Sequence, residues 1–196
     1  TYRMADVSYP DAVQMMRAFL KKRRVPDCSL CVEVAYLDID QMRSTFTELA
    51  TLLLGDAKQA KSFMSKAKLH SMEELEDSWW NLYEKLLSTG RARELSLKIE
   101  LEDFLYYVQK LIHNKNLSTD ENLTGDVSID TAAFDDSQCI GDWCAHFNST
   151  WKNHKLVGMD IGTDSLVLMV LSNEEFKRAQ DLAKELLHRI DVAERL

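Results

Sequence analysis

The residues best suited to chemistry lie near the end of the chain, in Asp160-Ile161-Gly162-Thr163-Asp164-Ser165, between two apolar runs. Their types suit two tasks. Glycine and threonine can wrap a phosphate while the leading aspartate holds a metal–water network. Asp160 and Asp164 can also join the strand-end aspartates Asp38 and Asp40 and the pair Asp135-Asp136. Hard oxygen ligands of this kind hold a divalent cation, as a small metal-dependent hydrolase requires. Sulfur and imidazole offer further options. Cys28-Ser-Leu-Cys31 has the C-x-x-C spacing, and zinc would need two more ligands from Cys139, Cys144, His146 or His154. Cys144 near His146 or His154 supplies the residue types of a thiol nucleophile and its base.

Each option meets a structural competitor. The hairpin spelling resembles the first phosphate loop of sugar kinases and actin-like ATPases. In those proteins the loop opens the first of two large domains, and a second phosphate loop and an adenosine site follow far downstream. Here 25 residues follow Leu171, enough for one helix. The expectation is therefore a chain reversal in which Gly162 supplies positive φ and Asp160, Asp164 and Ser165 bond locally. A strand pattern follows the C-x-x-C pair, whereas a redox pair needs a helix N-terminus to stabilise its thiolate. Cys144 and His146 are two apart on a helical pattern, about 200° around the axis, and cannot meet. His154 lies too far along that axis. No catalytic residue, metal or cofactor is expected.

A protein contact is the stronger expectation. Ser71-Met72-Glu73-Glu74 reads as a capping box. The helix it starts carries Met72, Leu75, Trp79, Leu82, Tyr83 and Leu86 on one face. Trp80 then stands about 100° from Trp79. A wide stripe buries both tryptophans; a narrower one leaves Trp80 outside, beside the acidic run Glu73, Glu74, Glu76, Asp77, where an aromatic anchors a partner. Tyr106-Tyr107 poses the same question. Asp135 and Asp136 add carboxylates from a long irregular segment, 114–137.

The bulk numbers agree. Net charge is −8 with pI near 5.2, which opposes broad nucleic-acid binding and suits a basic protein partner. No apolar run reaches the ~20 residues of a membrane span, and the start of the chain has no leader-like apolar segment. Four cysteines in 196 residues are too few for a disulfide scaffold. A reducing cytoplasm is expected.

The order of elements predicts an α+β fold. Helices are expected over 11–23, 40–54, 56–69 (Lys-rich), from 72 until Gly90 stops it, over 102–113 and 139–154, and after a second capping box, Ser172 to Glu175, through Ile190. Strands are expected over 28–39, 93–101, 156–161 and 166–171. The alternation of Leu95, Leu97 and Ile99 with Ser96, Lys98 and Glu100 describes a sheet with one wet face. The result is one domain with a mixed or antiparallel sheet of about four strands, helices mainly on one face, and a closing hairpin and helix.

"LSLKIELEDFLYYVQKLI", "LVGMDIGTDSLVLMVLSNEEF" and the pattern D-x-x-[ST]-D-S together resemble a bacterial family of small cytosolic proteins of unknown function. Its layout is similar to immunity proteins that neutralise polymorphic toxins. The resemblance spans 40–190, with 1–39 as an N-terminal extension. It marks Asp160, Gly162, Asp164 and Ser165 as structural hallmarks. The resemblance implies a non-enzymatic protein that binds a basic toxin domain; the charge pattern, read separately, offers Glu73, Glu74, Glu76, Asp77, Trp80, Asp135 and Asp136 as the residues that meet it.

Overall fold

The computed structural model describes residues 2–4, 13, 17, 31–33, 38–115, 117, 127 and 129–196. The chain divides into two compact units, 1–38 and 39–196. In the first, β1 (Tyr2–Met4) pairs antiparallel with β2 (Cys31–Glu33), Tyr2 opposite Glu33. Of the helix expected over 11–23, only Val13 and Arg17 are described, and both are helical. Cys28 lies outside the described residues. Ile39, expected as the end of a strand, opens a helix.

The second unit begins with α1 (Ile39–Leu54), α2 (Ala57–Met64) and α3 (Met72–Ser88). Then come β3 (Arg93–Ser96), α4 (Leu101–Asn114) and α5 (Ile140–Thr150). The hairpin β4 (His154–Met159) and β5 (Ser165–Ser172) leads into α6 (Asn173–Glu185) and β6 (Ile190–Val192). These four strands form one antiparallel sheet in the order β3-β5-β4-β6. The α+β class, the four-stranded sheet and the hairpin followed by a helix match the expectation.

The fourth strand is a different one from that expected. The N-terminal strand belongs to the first unit, and Ile190, expected on the last helix, lies in β6. Helix α6 stops early because Leu187 turns left-handed at φ 63. Leu187 N–H then donates to Lys184 O at 3.0 Å, and His188 N–H to Ala183 O at 2.9 Å. This is the Schellman exit, with leucine where glycine is usual. Strand β3 also ends early, at Ser96. Ile99 N–H donates to Ser96 O and Lys98 N–H to Ser96 Oγ, folding the chain into a turn that leaves Leu97 exposed.

Both faces of the sheet are covered, not mainly one. Leu156, Leu166, Leu168 and Val170 pack with Phe104, Trp143 and Phe147 of α4 and α5. The alternate residues Val157, Met159, Val167, Met169 and Leu171 are equally buried and stand outside that cluster. On their side α6 packs on β4, β5 and α1. Tyr83 of α3 also reaches this side, donating to Glu94 Oε2 at 2.5 Å. Glu94 alternates with Leu95, which belongs to the α4–α5 cluster. Unbroken apolar runs such as Leu166–Leu171 are what a doubly covered strand requires.

A part-buried ion pair ties the two helical layers. Lys115 at the end of α4 donates to Glu175 in the first turn of α6, where each charge also suits the local helix dipole. Burial pushes the Glu175 carboxyl up, but the Lys115 ammonium and the Ser172 N–H outweigh it and hold it below its usual range. A carboxyl lowered by folding contributes stability above its unfolded pKa of about 4.3 and loses it as pH falls through the folded value. Glu175→Gln keeps the capping box but not the charge. It is expected to cost about 2 kcal/mol at neutral pH. Urea unfolding at pH 7 and in acid checks this: the gap to the parent should close in acid.

Candidate partner-binding face

Helix α3 starts where Ser71 Oγ accepts the Glu74 N–H at 3.2 Å. The Glu74 carboxylate reaches back to His70 N–H at 2.7 Å, one residue beyond the expected capping box. Glu74 is thus half-buried and occupied by the cap. Leu75, Trp79, Leu82, Tyr83 and Leu86 bury the inner face, as the spacing predicts. Met72, expected on that face, is instead 43% exposed.

The tryptophan question has a geometric answer. Trp79 is 3% exposed, donates from Nε1 to Asp160 O at 2.8 Å and stacks on His188 with ring centroids 4.0 Å apart. Trp80 is 42% exposed, with Tyr83 edge-on to it at 5.1 Å. The buried stripe is narrow enough to exclude it. Glu73, Asp77, Trp80 and Glu84 follow steps of four, three and four, so they line the centre of the outward face. Glu76 flanks them, its carboxylate 3.9 Å from His188 Nε2. Glu84 escaped the sequence reading, although its i+4 relation to Trp80 was visible. Burial and the Glu94 carboxylate push the Tyr83 phenol up to about 12, so it remains a donor under this face.

Asp135 and Asp136 do not join this face. Asp135 O accepts from Trp143 Nε1 at 3.0 Å, and Trp143 packs in the α4–α5 layer, across the sheet from α3. The Asp135 carboxylate accepts the Ser137 N–H at 2.8 Å, which holds its pKa below the usual range. Tyr106, 51% exposed on α4, lies on that layer too, with Lys110 over its ring.

The hairpin residues make a turn. Gly162 has φ 71, and its N–H donates to Asp160 Oδ1 at 2.9 Å. Ser165 N–H donates to Thr163 Oγ1 at 3.3 Å. Asp160, Asp164 and Ser165 line a shallow cavity of about 220 Å³ with Arg189 and Leu196. Among the described residues, no three His, Cys, Asp or Glu side chains gather to hold a metal ion. Cys139 sits at the exposed start of α5, its Sγ 3.1 Å from Asp142 Oδ2. Cys144 is buried, and burial drives its thiol pKa strongly upward, against thiolate formation. His146 packs edge-on against Phe134, and His154 is buried at the start of β4.

Fold and face together describe a layered α+β domain that presents an acidic helix with one aromatic at its centre. The chain belongs to the family described as domain of unknown function DUF6630, whose profile matches residues 39–193. Neither the curated proteins nor the solved structures offer a match. No helix among the described residues is long and apolar enough to cross a membrane.

Proposed function

We propose that this domain is a non-enzymatic binding module whose partner is a basic protein. It would act in the manner of a bacterial immunity-type protein that neutralises a toxin in the cytoplasm by covering it. The observation that carries this reading is Trp80: a large ring left 42% exposed amid Glu73, Glu76, Asp77 and Glu84, while its neighbour Trp79 is buried. Single exposed ion pairs contribute about 0–1 kcal/mol each, too little to hold a complex. A desolvated tryptophan can supply 2 kcal/mol or more, roughly 30-fold in affinity. In this division of labour Trp80 supplies the affinity. The carboxylates and the net charge of −8 steer a cationic surface onto it and set its orientation.

The test is co-purification with the product of a neighbouring gene, followed by titration at rising salt. Affinity should fall at least about tenfold between roughly 0.05 and 0.5 M salt as screening shortens. An interaction that ignores salt, or none at all, would count against the reading.

A further inference from the structure

The charges of residues 57–69 and of the first three turns of α3 are segregated by sign, with Lys85 following in the last turn of α3. Residues 57–69 carry Lys58, Lys61, Lys66 and Lys68 and no carboxylate; residues 71–84 carry Glu73, Glu74, Glu76, Asp77 and Glu84 and no lysine or arginine. The four lysines, Glu73, Asp77 and Glu84 are all exposed. None of these seven is within ion-pair distance of an opposite charge among the described residues. Between the helices runs an open groove of about 540 Å³ lined by Phe63, Lys66, Ala67, Asn81, Glu84 and Lys85. Trp80 and Met72 stand exposed on the acidic arm.

We infer that this face is self-complementary and takes a second copy of the same chain about a two-fold axis. The lysine arm of each copy lies along the acidic arm of the other. A basic partner docked on the acidic arm leaves the lysine arm without a matching charge. A second copy satisfies both arms at once, which is the condition for an isologous contact. Trp80 of one copy supplies the apolar anchor, and the Phe63–Ala67 wall of the other receives it. The net charge of −8 per copy opposes the encounter at long range. At about 0.15 M salt the screening length is about 8 Å, so contact pairs persist while the long-range repulsion is damped. Self-association and capture of a basic partner both use Trp80, so each excludes the other. Neither requires the other to exist.

Sedimentation of the whole chain over about 10 to 500 µM, at about 0.15 M salt, tests this. The parent should pass from monomer toward dimer. K61E/K66E takes the lysine arm from +4 to 0, and D77K/E84K takes the acidic arm from −5 to −1, so each variant loses the charge contrast between its own arms. Each alone should weaken dimerisation about tenfold or more. An equimolar mixture of the two should form a heterodimer more tightly than either variant pairs with itself, because the substituted positions of one again meet charges of opposite sign on the other. The four positions are exposed, and circular dichroism and Tm should match the parent. If a double variant misfolds, Lys66→Glu and Asp77→Lys carry the same comparison. A parent that stays monomeric throughout overturns the inference. So do reversed variants that dimerise like the parent, or a folded mixture that fails to associate.

Discussion

Trp79→Ala and Trp80→Ala, one residue apart, are expected to fail in opposite ways. Trp79 is buried to 3%, stacks on His188 and bonds the backbone of Asp160 at the hairpin. Its loss removes a large buried apolar surface, leaves a cavity, and breaks the bond to the Asp160 carbonyl. The expected cost is about 3–5 kcal/mol, a large part of the stability of a domain this size. Denaturant unfolding should show a lower midpoint with an unchanged slope. Trp80→Ala gives up only a half-exposed ring and an edge contact, so its midpoint should move by less than about 1 kcal/mol. Partner affinity should behave in reverse. A folded Trp80→Ala chain is expected to bind at least about 30-fold more weakly. If Trp80→Ala unfolds the domain, the ring is a core residue and the face loses its anchor.

Asn148→Leu is the second large effect, and it acts on the sheet rather than the face. β6 pairs with β4 at Val157–Met159, so Leu156, which faces Val170 of β5 on one edge, has no β6 residue opposite it on the other. The buried Asn148 side chain stands in for that strand. Its Nδ2 donates to Leu156 O at 2.8 Å, and its Oδ1 accepts Leu156 N–H at 2.8 Å. Nδ2 also donates to Glu194 Oε2 at 2.6 Å, which fastens the turn after β6. Leucine keeps the volume and loses all three bonds. Two buried backbone groups left unpaired, at about 1–3 kcal/mol each, give an expected loss of about 3–5 kcal/mol. Urea melts of Asn148→Leu against the exposed neighbour Ser149→Ala measure it. The neighbour should stay within about 0.5 kcal/mol of the parent.

The parts of the fold readable in the sequence were those whose local signals agree with their tertiary setting. Gly90 marks the end of α3 and adopts φ 70 in a Schellman exit: Arg91 N–H bonds Leu86 O at 2.9 Å and Gly90 N–H bonds Leu87 O at 3.0 Å. The same exit closes α6, but Leu187 occupies the left-handed position, so nothing in the sequence announces the stop or the short edge strand after it. Alternation in 93–101 reads as one strand with a wet face, because the turn at Ser96 depends on side-chain and backbone bonds that spacing does not encode. The unbroken run Leu166–Leu171 did carry the signal for a doubly covered sheet. Composition alone grouped Asp135 and Asp136 with the α3 carboxylates, yet the topology places a sheet between them.

Hydroxyl-radical footprinting of the chain, free and in complex with its basic partner, tests the central claim most directly. It should be done at concentrations where the free chain is monomeric. Met72, Trp80 and Tyr106 are exposed to similar degrees, 43%, 42% and 51%, so Tyr106 on the other layer serves as the internal control. Binding is expected to suppress oxidation of Trp80 and Met72 and to leave Tyr106 unchanged. Protection of Tyr106 with Trp80 still reactive would contradict the account, because the partner would then sit on the other side of the sheet.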